Sequence, residues 1–205
     1  MTTQDKLARY RDRRDPERSP EPSGRAGVGK GGARPIFVIQ KHDASTLHYD
    51  FRLEIDGVLK SWAVPKGPST DPREKRLAVE TEDHPLDYAD FEGVIPGDQY
   101  GGGTVLVWDT GPFENAKRDN DGRIEKSLAD CFADGHLTVV LHGEKISGGY
   151  SLTHFRSENG KRQWLLVKMD DDAADARRNP VNTEPDSVLS DRGLADIAAQ
   201  GPDND

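Results

Sequence analysis

Cysteine is nearly absent from this sequence: Cys131 is the single thiol in 205 residues. One thiol can build neither an intramolecular disulfide nor a cysteine zinc site, so the fold must rest on its core. No run approaches the roughly 18 apolar residues of a membrane span. The first fifteen residues, MTTQDKLARYRDRRD, contain no hydrophobic signal region. These absences give a cytoplasmic, reducing compartment as the expectation. Apolar residues make up only 33% of the chain and charged ones 32%, so part of it is expected to lie outside a packed core. The length suits one sizeable core with tails.

Positive charge is scarce on average but not evenly so. The formal net charge is −9. Residues 1–35 carry nine Lys/Arg against five Asp/Glu, whereas residues 170–205 carry ten acids against three bases. An acidic body excludes broad wrapping of nucleic acid, which needs an extended basic surface. A small basic pocket gripping one strand end remains compatible with it.

Three segments follow. Residues 1–35 are polar, with Pro16, Pro20, Pro22 and then GRAGVGKGGARP, and read as a basic arm with a short helix near Gln4–Arg11. Residues 36–170 alternate short β-rich runs with turn residues. Strands are expected at 35–40, 50–55, 59–64, 76–81, 104–109, 137–142, 149–154 and 163–169. Asp56-Gly57 is a two-residue hairpin signal. A short helix is expected within 124–134. The run Gly101–Gly103 lacks the GK[ST] ending of a phosphate loop and reads as a hinge or bulge. Residues 171–205 form an acidic tail or linker with a short helix near 194–200. About eight short strands and little helix indicate an antiparallel barrel or sandwich.

The chemistry concentrates in KHDASTLHYDFRL, residues 41–53. On a strand, His48, Asp50 and Arg52 point to one face while Tyr49, Phe51 and Leu53 point to the other. The second set suits a core. The first offers two potential metal ligands followed by a guanidinium shaped for phosphate. His42 lies just upstream and His84 in the next part of the sheet, so His42, His48, Asp50 and His84 are candidate ligands for Mn, Fe or Zn. Ordinary turn or surface histidines are the plain alternative for His42 and His84. Another enzyme class uses the same residue types: His48-x-Asp50 with a distal histidine, from among His136, His142 and His154, matches the facial triad of an iron(II) oxygenase. Arg52, Lys66 and Arg76 are candidate phosphate cations. Glu82, Asp83 and Asp87 surround His84, and Tyr88 suits a phosphate hydrogen bond or base stacking.

The strings HDASTLHYDFRLEIDGVLKSWAVPKGPS and DHPLDYADFEGVIPGDQYGGGTV resemble the 3′-phosphoesterase module of the bacterial and archaeal DNA repair ligase D. The resemblance runs over about residues 10–170 and includes RRDPERSPEPSG, where Ser19 stands in place of the usual Thr. It implies a mainly β fold, a compact antiparallel barrel of about eight strands with short helices, a polar N-terminal arm and an active site on its concave surface. It implies a manganese-dependent enzyme, with Co2+ or Zn2+ as substitutes, that removes a 3′-terminal ribonucleoside and then the 3′-phosphate. Residue by residue it assigns His42, Asp50 and His84 to the metal, and His48, Arg52 and Tyr88 to phosphate contact or catalysis. Lys66 and Arg76 become phosphate-handling cations, Arg14, Asp15 and Glu21 functional arm residues, and Gln40 and Glu82 polar supports. The implied partners are DNA 3′ ends, ligase and polymerase modules and a Ku-type end-binding protein, with nucleoid association in a prokaryote. EPDSVLSDRGLADIA resembles the segment leading to the next domain of the larger ligase, so the expectation is either a free-standing enzyme or a piece of a longer protein. A DNA-end-binding module without catalysis is the non-enzymatic alternative.

Overall fold

A computed structural model describes residues 5–24, 34–119 and 121–201. Nine antiparallel strands form one sheet: β1 (Ile36–Asp43), β2 (Leu47–Ile55), β3 (Val58–Val64), β4 (Lys75–Glu80), β5 (Gly93–Ile95), β6 (Gly103–Asn115), β7 (His136–His142), β8 (Ser147–Glu158) and β9 (Lys161–Lys168). Their order is β1-β2-β3-β4-β9-β8-β7-β6-β5, and a further β1–β6 pairing closes eight of them into a barrel, with β5 added on β6. The expected mainly β, eight-stranded antiparallel barrel is therefore what forms.

Alternation sets the inside. Phe37 and Ile39 of β1, Tyr49, Phe51 and Leu53 of β2, and Trp62 and Val64 of β3 enter one core with Trp108, Leu152 and Trp164. Truncating a buried aromatic in such a core costs about 3–5 kcal/mol. Asp56 and Gly57 both have positive φ, as the β2–β3 hairpin turn requires. Helix α2 (Leu128–Ala133), N-capped by Ser127, presents Phe132 to Trp62 and Trp164.

A second apolar cluster lies outside the wall and decides where the site can be. Val38, Leu59, Val105 and Val107 point outward and are covered by Tyr10 of α1 (Ala8–Asp12), by Tyr88 and Ala89 of a 3₁₀ turn, Leu86–Asp90, and by Phe91 just after it. The Tyr10 hydroxyl donates to the Pro22 carbonyl at 2.6 Å, folding residues 5–24 back over the wall. The expected helix in the arm is Ala8–Asp12; Gln4, most of the glycine-rich stretch (25–33) and residues 202–205 lie outside the described residues.

The C-terminal segment packs along the barrel. The Trp108 indole donates to the Glu184 carbonyl and the Tyr49 hydroxyl to that of Val181. Glu92 accepts from Ser187, Ser190, Arg192 and the Val107 amide. Helix α3 (Pro180–Thr183) follows Asn179, and α4 (Leu194–Ala198) buries Ile197. No helix among the described residues is long and apolar enough to cross a membrane.

Candidate metal centre

The polar face of β1, β2 and β3 forms the floor of a hollow of about 400 Å³ on the outer side of the barrel wall. Register builds it. Gln40 lies opposite Asp50 and His42 opposite His48, while Arg52 lies opposite Ser61. An isolated bridge between Leu59 and His84 brings the imidazole of His84 beside Ser61. Arg14 and Glu21 of the arm, Glu82, Tyr88 and Tyr100 complete the rim. At the other side, Gly103 lets β6 pass close to β1: its φ is +143°, and a Cβ there would lie 2.2 Å from the Asp43 carbonyl oxygen.

Asp50 is the centre of the floor. Its Oδ2 is 3.6 Å from His42 Nδ1 and its Oδ1 is 3.5 Å from His48 Nε2. Arg52 donates to the same Oδ2 at 3.0 Å, to Gln40 Oε1 at 2.8 Å and to Ser61 Oγ at 2.8 Å. Burial disfavours the Asp50 charge, but Arg52 and the two imidazoles outweigh it and hold the carboxyl well below the usual range. Asp50 is therefore a carboxylate at neutral pH.

Ligand-atom geometry favours a cation among three of these groups. The donor atoms of His42, His48 and Asp50 all lie within 4.8 Å of one another. His48 Nδ1 lies 2.9 Å from the Thr46 carbonyl, which can only accept, so Nδ1 carries a proton. In the neutral ring, His48 Nε2 then turns a lone pair toward a carboxylate oxygen, two acceptors facing each other. Buried His42 Nε2 has no hydrogen-bond partner. A cation, or a proton on His48, resolves the first conflict, and the Asp50 charge raises the His48 pKa against the effect of burial. Two imidazoles and a carboxylate form a recognised open set for Mn, Fe or Zn, so the residues fit a divalent ion.

His84 stands in the same hollow with other partners. Its Nδ1 donates to the Glu82 carbonyl at 3.0 Å, and its Nε2 faces Arg14 at 3.3 Å, where it accepts. Burial, then Arg52 and Arg14, push its pKa well below the ordinary value, so it is neutral. Arg14 also donates to Glu21 Oε1 at 2.9 Å and Glu82 Oε1 at 3.1 Å, and its guanidinium lies 3.9 Å from the Tyr10 ring centroid. The Tyr88 hydroxyl donates to Glu21 Oε1 at 2.9 Å. Burial and the Glu21 charge drive its pKa well up, so it stays a phenol. Gln40 ties the 3₁₀ turn to β1 by donating to the carbonyls of Tyr88 and Phe91.

Of the residues singled out from sequence, Arg14, Glu21, His42, His48, Asp50, Arg52, Glu82, His84 and Tyr88 line the hollow, with Gln40 buried beneath. Five stand elsewhere. Asp83 pairs with Lys60 at 2.7 Å, and Asp87 is exposed on the 3₁₀ turn. Asp15 turns the arm by accepting from the Glu17 amide. Lys66 is exposed beyond the end of β3 and does not line the hollow. Arg76 shares the inward face of β4 with Ala78, pairs with Glu74 and lines a separate cavity with Ser69, Thr70 and Arg178. The distal histidines of the oxygenase reading are also elsewhere: His136 meets Thr153, His142 meets Glu114 and His154 lies on Trp164. Sequence reasoning missed Ser61, which is two residues from Ala63 on the outward face of β3. It also missed Arg13 and Tyr100: Arg13 donates to Glu82 Oε2 and to the Tyr100 hydroxyl.

A family model described as the DNA ligase D 3′-phosphoesterase domain matches residues 40–154, the stretch that carries His42, His48, Asp50, Arg52, His84 and Tyr88. The chain belongs to the DNA ligase D 3′-phosphoesterase family. It is 49% identical over 196 residues to the multifunctional non-homologous end joining protein LigD of Pseudomonas aeruginosa, covering 95% of this chain and 22% of that protein. The LigD proteins of Mycolicibacterium smegmatis and Mycobacterium tuberculosis are 44% and 46% identical over 168 and 165 residues. These matches cover 82% and 80% of this chain and 21% and 20% of those proteins. The phosphoesterase chain thus spans about a fifth of the length of the curated relatives it matches. The family description makes phosphate-ester hydrolysis the class of chemistry at its site.

Proposed function

We propose that this chain is a divalent-metal-dependent 3′-end-healing enzyme in DNA strand-break repair, the process for which its relatives are named. It removes a 3′-terminal ribonucleoside as a phosphodiesterase, then the remaining 3′-phosphate as a phosphomonoesterase, leaving a 3′-hydroxyl. The observation that carries this reading is the pairing of the His42–His48–Asp50 donor group with two buried guanidiniums, Arg14 and Arg52, in one hollow.

The charge count supports it. The hollow is lined by three carboxylates, Glu21, Asp50 and Glu82, and three cations, Arg14, Arg52 and Lys161. It is formally neutral until a divalent ion adds charge, and then it suits a dianionic terminal phosphate. Mn2+ held by His42, His48 and Asp50 would supply Lewis-acid polarisation of a phosphate oxygen and a bound water of lowered pKa. His48 takes the ligand role that the family resemblance gave to His84, because His48 Nε2 faces Asp50 while His84 Nε2 is engaged by Arg14. His84 instead orients Arg14, and its neutral ring makes it a poor proton donor.

Arg52 keeps one N–H on each terminal nitrogen beyond its bonds to Ser61 and Asp50, and these are free to fork onto non-bridging phosphate oxygens. It also holds Asp50 in the orientation that presents Oδ1 and Oδ2 to the two imidazoles. Arg14, fixed by Glu21, Glu82 and Tyr10, places a second preorganised charge over the hollow. Tyr88 locks Glu21 and so locks Arg14. Lys66 and Arg76 are assigned no contact with the reacting phosphate.

The test is a primer–template ending in one ribonucleotide or in a 3′-phosphate, incubated with manganese or with chelator. The expected result is stepwise conversion to a 3′-hydroxyl end with release of inorganic phosphate, in manganese only. Binding of the end without any conversion in manganese would contradict the proposal and favour an end-binding module.

A further inference from the structure

The outer wall continues the floor of the hollow sideways without a break. Asp50 is in register with Ala63, Ala63 with Val79, Val79 with Gln163, and Gln163 with Arg156. This single row crosses β2, β3, β4, β9 and β8. All its members face outward: their chain neighbours Trp62, Ala78 and Trp164 are fully buried in the barrel core. Four strand spacings of about 4.8 Å make the row about 19 Å long. The neighbouring outward row is Leu77, Leu165 and Thr153, and Leu77 is 38% exposed. The row between Asp50 and Arg156 therefore holds small or neutral side chains, with one carboxylate beside it, Glu158, which accepts from Gln163 at 2.9 Å.

Cations stand at its edges. Lys161, which lines the hollow, and Lys75, the first residue of β4, have no ion pair among the described residues. At the far end, Arg156 pairs with Glu158 at 3.2 Å, but both side chains are more than half exposed, so solvent screens the pair and a phosphate can displace it. Phe155, 46% exposed at the β8 bulge, lies under that guanidinium, 5.4 Å from its ring centroid. On a chain of net charge −9, an open face where, among the described residues, Lys75 and Lys161 are unpaired and Glu158 is the one carboxylate beside a neutral row is complementary to a polyanion.

We infer that the nucleic-acid strand whose 3′ end enters the hollow runs back across the outer faces of β3, β4 and β9 to Arg156 and Phe155 on β8. At the 3.4 Å rise of a B-form strand, 19 Å accommodates about five or six nucleotides. Lys161 and Arg156 take its phosphates, and Phe155 offers a stacking surface to a base. This rests on the end-healing reading for the strand's direction but not for its binding, and the two are tested separately.

Binding is read without turnover, from the fluorescence anisotropy of a 5′-labelled eight-nucleotide primer strand with a 3′-hydroxyl end, across a salt series. The double variant Arg156→Ala/Lys161→Ala is compared with wild type and with Arg177→Ala, an exposed cation on the C-terminal segment. The dependence of log affinity on log salt is expected to flatten by about 1.4–1.8 in the double variant, two lost phosphate contacts at about 0.7–0.9 each, and to keep its slope in Arg177→Ala. In phosphate release, wild-type KM is expected to fall at least about fivefold as the substrate lengthens from two to eight nucleotides, and the double variant is expected to lose that gain. An unchanged slope in the double variant, an equal loss in Arg177→Ala, or no binding by wild type would overturn the track. Absence of phosphate release by wild type in manganese would overturn the end-healing reading, while the salt slopes still decide the track.

Discussion

Glu21→Gln isolates what the arm contributes. Glu21 is almost fully buried and accepts from Arg14, Tyr88 and Ser19 at 2.9, 2.9 and 2.7 Å. The substitution keeps the shape but removes the charge facing a guanidinium whose side chain is 9% exposed. Breaking a buried pair outright costs about 3–5 kcal/mol. Here Glu82 still compensates Arg14 at 3.1 Å, and a glutamine oxygen at the Oε1 position still accepts from both Arg14 and Tyr88. The loss is therefore that of the charge, and about 2 kcal/mol is the reasoned value, near the middle of the charge-assisted hydrogen-bond range. That energy holds the arm on the wall, not the barrel together. At 1.4 kcal/mol per tenfold, the docked fraction is expected to shift by about 30-fold toward open. The assay pairs proteolytic cleavage within residues 5–24 with kcat/KM for 3′-phosphate release. Faster cleavage, a rate lower by up to about 30-fold and an unchanged barrel melting temperature are the expected set. Wild-type cleavage together with a wild-type rate would refute the argument that Glu21 holds Arg14 over the hollow.

Asp50→Asn is expected to weaken manganese binding by at least about 100-fold, since it removes a ligand rather than an outer partner. It should also destabilise the fold by about 3 kcal/mol because Arg52 loses its carboxylate; manganese titration and urea unfolding check both. Gly103→Ala should cost about 2 kcal/mol or more in the same unfolding assay, because φ is +143° and the new Cβ meets the Asp43 carbonyl. Burial pushes the Glu92 carboxyl up, but its bonds from Ser187, Ser190, the Val107 amide and Arg192 prevail and hold it below the ordinary value of 4.5. Its contribution to docking the C-terminal segment is therefore complete above that value and lost as pH falls through the lower folded value. The protection factors of the Val188 and Asp191 amides, which correct for the intrinsic pH dependence of exchange, should fall on acidification in wild type and stay level in Glu92→Gln.

Much of the site could be read from residues 41–53 because strand alternation alone separates His48, Asp50 and Arg52 from Tyr49, Phe51 and Leu53. What periodicity could not supply was phase relative to the barrel. In RLAVET the apolar pair Leu77 and Val79 suggests an inward face, yet Ala78 enters the core and Arg76 goes with it, out of reach of the hollow. The roles of His48 and His84 likewise depend on which ring nitrogen the neighbouring backbone carbonyl occupies, and a sequence does not record that. The strand β5 and the docked C-terminal segment were also illegible. The latter is anchored largely through its own backbone carbonyls, at Asp175, Val181 and Glu184, and any residue can offer those.

In the proposed centre, His42, His48 and Asp50 share one divalent ion while His84 serves Arg14. Crystals soaked in manganese and measured at the manganese absorption edge test it directly. A single anomalous peak within ligand distance of His42, His48 and Asp50 is expected, with His84 Nε2 still facing Arg14. A peak bound by His84, or none in the hollow, would contradict it.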